Sequence, residues 1–379
     1  MTEQTITQQA VPFLDLAAQQ AEVMDDVLPV WQRQLTDAAF IGGAEVAAFE
    51  REYADYIGTG HVVGVSNGTD ALELAFRAVG VASGDEVIMP ANTFIATAEA
   101  VSRIGAVPVF VDVDDAHLLI DPDAIDAAVT TRTRAIVPVH LFGQTAPMAE
   151  VAAIADRHGL AVVEDAAQAQ GASGPAGRAG ALGRVAATSF YPGKNLGAAG
   201  DAGAVMTDDE GLADVVRNLA AHGSSVKYVH DRIGMNARLD AVQATVLRAK
   251  LRRLEEWNTS RRAAAARYAG LLGDIAGVRL PEVREGNTDV WHLYVVRVAE
   301  RDRVLAELGA AGVGAGIHYP TVVPLTEAYA GLGHRPGEFP VAEAAAASIL
   351  SLPMFPHLTE AQQARVAEML RRSLDGDGS

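Results

Sequence analysis

The sequence predicts an α/β protein, with a large domain on a mainly parallel seven-stranded sheet and a smaller C-terminal α/β domain after it. Between about Gly60 and Thr207, short runs rich in β-formers alternate with stretches of helical spacing, the pattern of right-handed βαβ crossovers. Several of those runs are apolar along most of their length, as strands covered on both faces are. After Gly234 the alternation gives way to one long helical stretch.

In chain order the candidate strands are His61–Ser66, Glu86–Pro90, Val107–Val113, Ala135–Leu141, Leu160–Asp165, Ala186–Phe190 and Ala202–Thr207. Helices are expected between them at Thr69–Val79, Thr93–Ile104 and Met148–His158, with Thr69 capping the first. Leu239–Leu272 reads as one helix, with Val242, Val246, Leu247, Leu251 and Leu254 at helical spacing and a candidate break at Trp257-Asn258. Beyond it, Trp291–Val298 is a strand candidate and Arg301–Ala311 a helix. Thr359 is a natural N-cap for the closing helix Glu360–Arg372. The domain boundary is placed inside the long helix, giving units 1–250 and 251–379.

Composition narrows the function. Acidic residues number 48 against 30 basic, a net charge of −18, and such a surface repels nucleic acid and anionic membranes. The densest basic stretch, Arg248 to Arg253, is followed at once by Glu255-Glu256. Cysteine is absent, which excludes disulfides, thiolate catalysis and cysteine metal sites. The polar Met1–Ala10 stretch lacks the form of a signal peptide, and no run reaches the roughly 18 apolar residues that cross a bilayer. The expectation is a cytoplasmic enzyme without nucleic-acid or membrane partners and without a metal.

Four short segments carry chemistry, each at the carboxyl end of a strand candidate. Ser189–Gly197 holds Lys194 on a Pro-Gly turn, and a lysine there projects into the crevice where open α/β sheets bind ligands. A lysine whose pKa is depressed becomes a Schiff-base nucleophile, although a loop lysine taken alone is ordinarily solvated. Val162–Gln168 ends an apolar strand in Asp165, which can either pair with a pyridinium nitrogen or cap a following helix. Gln168 could reach a phenolic oxygen of the same ring. In Ser66–Leu72, Gly68 and Thr69 open a helix whose free N–H groups favour a phosphate. Phe94 is either core or a platform for a flat ring. Together they make a phosphate cradle, a ring platform, a ring-nitrogen partner and an imine lysine on one sheet edge.

At this point the chain resembles the DegT/DnrJ/StrS family of aminotransferases that act on nucleotide-linked keto-sugars. The resemblance runs from Val11–Leu16 to the last helix through Ser66–Leu72, Pro90–Ala96, Val137–Gly143, Glu164–Gly171, Ser189–Gly197 and Gly234–Leu239. It implies fold-type I, the aspartate aminotransferase-like architecture, with pyridoxal 5'-phosphate as cofactor and L-glutamate as amino donor. Lys194 would carry the cofactor, Asp165 would pair with its ring nitrogen, and Gln168 would lie near its phenolic oxygen. Gly68, Thr69 and Ser189 would hold the phosphate. Asn236 would reach that phosphate from a neighbouring subunit, which implies a homodimer with shared sites. Relatives that remove a hydroxyl carry His at the lysine position, so Lys194 favours transamination.

The stretch Phe190–Gly197, the Gly223–Tyr228 loop and Ile317–Pro320 are similar to the subgroup acting at C-3 of thymidine-diphosphate-linked 3-keto-6-deoxy sugars. C-4 enzymes often carry a His in the turn before the lysine. A local cation should offset the acidic surface where a pyrophosphate binds, and Lys227 is the candidate, with a solvated loop lysine as the alternative. Tyr228, His318 and Tyr319 are expected near the sugar, with a purely structural role as the alternative for His318 and Tyr319.

Overall fold

A computed structural model of the chain describes residues 10–375, so all but the last residue of the Met1–Ala10 stretch lies outside it. Its central sheet is formed by β1 (His61–Val65), β2 (Glu86–Pro90), β3 (Val107–Val111), β4 (Thr133–Ile136), β5 (Ala161–Asp165), β6 (Val185–Ser189) and β7 (Gly203–Thr207). The strand order is β1-β7-β6-β5-β4-β2-β3. β2, β3, β4, β5 and β6 pair in parallel, and β7 is antiparallel to both its neighbours, β1 and β6. The link from β6 to β7 contains no crossover helix, so the chain stays at the edge it has reached and turns back. β1 therefore runs parallel to β2, β5 and β6, and their carboxyl ends share one edge.

Both faces of the sheet are buried, which explains the unbroken apolar runs. Val87, Met89, Ala135, Val163 and Val185 pack on one face with Leu72, Ala75 and Phe76 of a helix. Their chain neighbours Ile88, Ile136 and Val162 pack on the other with Val151 and Ile154, as the period of two along a strand requires. The principal helices are α1 (Met24–Asp37), α2 (Ala44–Ile57), α3 (Gly68–Ala78), α4 (Ile95–Arg103), α5 (Met148–His158), α6 (Glu210–Ala220), α7 (Ala241–Leu272), α8 (Arg301–Ala310) and α9 (Glu360–Asp375).

Several boundaries differ from expectation. β4 stops at Ile136, before Pro138, which cannot donate to a ladder. The rest of that run turns into a short 3-10 segment at Leu141–Gly143. α4 starts at Ile95, with Phe94 still extended. α7 runs unbroken for 32 residues. At its expected break, Trp257 donates to Glu22 at 3.0 Å and Asn258 to the carbonyl of Gln170 at 3.0 Å, so both side chains tie a continuous helix to its surroundings. Thr359 does cap α9, accepting from Gln362 N at 3.2 Å. The late strands β8 (Val278–Arg279), β9 (Tyr294–Val298) and β10 (Ile349–Leu352) form an antiparallel sheet. It packs with Tyr268 and Leu272 of α7, Val304 and Leu308 of α8, and Val366 and Leu370 of α9. Among the described residues, no helix is long and apolar enough to cross a membrane.

Candidate active site

The phosphate cradle begins where β1 hands over to α3. Asn67 is extended, and its side chain accepts from Asp70 N at 2.8 Å, so Asn67 and not Thr69 caps the helix. Thr69 stands two positions inside the cap, as the second residue of the helix. The first N–H groups of a helix have no partner within it, and here they open onto a cavity of about 550 Å³. A Cβ on Gly68 would lie 2.6 Å from Cβ of Ser189, so only glycine lets the helix start approach the end of β6 this closely.

Asp165 closes β5 on the same edge. No helix follows it, which removes its capping role. One carboxylate oxygen accepts from the hydroxyl of Thr97 at 2.7 Å and the other from Ala167 N at 3.1 Å. Thr97 lies on α4 and is fully buried. The strand pattern points to Asp165, while nothing in the sequence around Thr97 separates it from any small helix residue. Gln168 accepts from Phe142 N at 2.7 Å, and its amide donates to the hydroxyl of Tyr319 at 3.2 Å. Phe94 is 50% exposed towards the cavity, with its ring 5.3 Å from that of Tyr319, so it is a wall and not core.

Lys194 sits on a turn closed by its own N–H to the carbonyl of Tyr191 at 2.8 Å. Its neighbour Asn195 is buried, donating to Asn258 at 3.0 Å and to the carbonyl of Val290 at 2.9 Å, and accepting from His292 at 3.2 Å. Burial lowers the Lys194 ammonium to about 8, and the charge of Asp165 acts in the opposite sense. Burial also holds His292 and His318 neutral, the first well below the ordinary imidazole value and the second at about 4, with the Lys194 charge adding to both. The site thus presents a lysine poised to lose its proton, facing a fixed carboxylate.

The chain matches the DegT/DnrJ/EryC1/StrS aminotransferase family over residues 23–371. It belongs to that family. Erythromycin biosynthesis sensory transduction protein EryC1 of Saccharopolyspora erythraea is 51% identical, covering 92% of this chain and 95% of that one. The dTDP-3-amino-3,4,6-trideoxy-alpha-D-glucose transaminase of Streptomyces venezuelae is 46% identical, over 95% of each. The crystal structure of S. venezuelae DesV in complex with a ketimine intermediate matches with a TM-score of 0.93 at 46% identity, covering 96% of this chain and 98% of that one. The protein is a sugar aminotransferase of fold-type I, and members of its family depend on pyridoxal phosphate. Its residues fit that cofactor: a helix start stripped to glycine beside Ser189, a buried carboxylate, an aromatic wall and a low-pKa lysine share one cavity.

The aminotransferase brings Gly68, Thr69, Phe94, Asp165, Gln168, Ser189, Lys194 and Tyr319 to that cavity. His318 is not in its lining. The ring stacks on Phe13 and Nδ1 lies 2.8 Å from the hydroxyl of Ser351, so His318 stands behind the wall that Tyr319 forms. Lys227 and Tyr228 also fall outside the lining. They occupy the turn between the short strands Ser224–Val226 and Val229–His230, where Tyr228 is 82% exposed and Lys227 lies over its ring. Asn236 is exposed, and its side chain accepts from Arg238 at 2.9 Å. These last three do not line the cavity of their own chain. Nothing in the local sequence marks Asn195, Asn258 and His292 as a set, although Asn195 directly follows the lysine.

Proposed function

We propose that the enzyme transfers an amino group from L-glutamate to C-3 of a thymidine-diphosphate-linked 3-keto-6-deoxy sugar. The observation that carries this reading is the low-pKa Lys194 opposite Asp165 in a chain so similar throughout to a dTDP-3-amino-sugar transaminase. The motif Phe190–Gly197 supports C-3 over C-4. When bound, pyridoxal phosphate supplies an electron sink and carries the amino group between substrates. The protein supplies the rest. Asp165, held by Thr97 and Ala167, would pair with the cofactor's ring nitrogen and favour its positive form. With the cofactor held there, Lys194 would act as general base on the proton of the donor's α-carbon and as general acid towards C-3 of the acceptor sugar. Phe94 and Tyr319 wall the cavity and limit the entry of water.

In the same reading a second copy of the chain completes the site, bringing Asn236 to the phosphate and Lys227 and Tyr228 to the nucleotide sugar. Exposed apolar side chains support such an interface: Ile233 is 96% exposed, and Leu35, Ile41, Val226 and Val229 are more than half exposed. Sedimentation should give twice the chain mass, and Lys227→Ala should raise KM for the nucleotide sugar while sparing cofactor binding. To test the substrate, enzyme incubated with L-glutamate is mixed with dTDP-linked 3-keto and 4-keto sugars and a UDP-linked 3-keto sugar. A 3-amino dTDP-sugar should form fastest. Faster amination of the 4-keto or the UDP-linked compound overturns the assignment.

A further inference from the structure

The start of α3 carries a charge conflict. A helix N-terminus favours an anion, but the first turn of α3 already holds a carboxylate, Asp70. Asp70 lines the same cavity as Gly68, Thr69 and Lys194. A phosphate dianion seated on that turn therefore meets a fixed negative charge.

One side chain answers it. Arg103, the last residue of α4, also lines the cavity and is its one cation besides Lys194 among the described residues. Its guanidinium lies 3.0 Å from one oxygen of Asp70 and 2.8 Å from Glu73, which is itself buried. Glu73 has a second partner in Arg77, at 2.8 Å. The other oxygen of Asp70 accepts from Ser66 and Asn67. Two carboxylates and two guanidiniums make a neutral set, and without Arg103 the set beside the cradle is left with one negative charge. We propose that Arg103 is a positioning residue of the cofactor-phosphate site, turning Asp70 aside and cancelling its charge so that α3 can hold a dianion.

The proposal rests on the pyridoxal-phosphate reading and is tested by binding, not turnover. Cofactor-free full-length protein is titrated with pyridoxal phosphate and with pyridoxal, which lacks the phosphate. Arg103→Met should weaken pyridoxal phosphate about tenfold, the order expected for one uncompensated charge beside a partly exposed anion site. Pyridoxal affinity should stay within about twofold, because no phosphate is involved. The double variant Asp70→Asn/Arg103→Met should return to within about threefold of wild type, since the charge that Arg103 cancels is gone. Arg103 is half exposed and Glu73 keeps Arg77, so the variants retain the fold, which urea unfolding checks. Equal losses for both ligands, no recovery in the double variant, or no loss in Arg103→Met would each overturn the proposal. Wild-type protein that bound neither ligand would instead overturn the cofactor reading beneath it.

Discussion

Thr97→Val isolates what the support of Asp165 contributes. The Thr97 hydroxyl has a single proton and gives it to Asp165 at 2.7 Å. The 2.7 Å contact between the Thr93 and Thr97 hydroxyls must then have Thr93 as donor. Valine keeps nearly the same shape without the hydroxyl. Asp165 is left with Ala167 N as its remaining donor, and its plane is no longer fixed. A hydrogen bond to a charged group contributes about 1.5–3 kcal/mol, so kcat/KM should fall about 10- to 150-fold. A second effect separates site from scaffold. Thr93 is buried, and losing its acceptor should cost about 1–3 kcal/mol of stability. Thr93→Val/Thr97→Val removes both partners and should recover most of that stability while kcat/KM stays low. Initial rates with L-glutamate and urea unfolding read the two quantities. A Thr97→Val enzyme within twofold of wild type in kcat/KM would refute the reasoning.

Other changes probe the same cavity and one buried carboxyl outside it. The neutral amine of Lys194 is its reactive form, and burial sets its ammonium at about 8. Capture of a small neutral aldehyde by cofactor-free protein should therefore rise with pH around a midpoint near 8. Asp165→Asn removes the charge that holds this value up, so the midpoint should move lower; an upward shift would contradict the arrangement. Gly68→Ala puts a methyl 2.6 Å from Cβ of Ser189, and the displaced strand end should weaken pyridoxal phosphate binding more than pyridoxal binding. Asp289, which accepts from Trp291 N, has its carboxyl raised by burial from 3.8 to about 7. A group raised on folding favours the native state at low pH and loses that contribution as pH climbs through its folded value. Wild type should therefore lose stability relative to Asp289→Asn between pH about 4 and 7, seen as diverging urea midpoints.

The large sheet was legible because its strands advertise themselves: seven apolar runs bounded by turn residues became seven strands. What pattern could not supply was direction. β7 reads like its neighbours yet runs against them, because the turn that presents Lys194 ends on the same edge it started from. The long helix was expected to break at Trp257-Asn258 on local appearance. It stays whole because both side chains find partners far away in the chain, Glu22 and Gln170.

The same division runs through the site. Lys194, Asp165, Gly68 and Ser189 each lie on a strand end or the first turn after one, and such places concentrate function whatever the rest of the chain does. The groups that tune them come from ordinary-looking helix and loop positions. Thr97 reaches Asp165 from 68 residues away, while Asn258 and His292 reach the residue beside Lys194 from 63 and 97. A lysine exposed on the same Pro-Gly turn would titrate near its ordinary value. The depression to about 8 arises because α7 and the segment leading into β9 close over the turn, with Asn195 as the pin between them. The reactive atom is thus named by local sequence, but its reactivity is set by the tertiary fold, and so Asn195→Ala should raise the Lys194 midpoint towards that of a solvated amine.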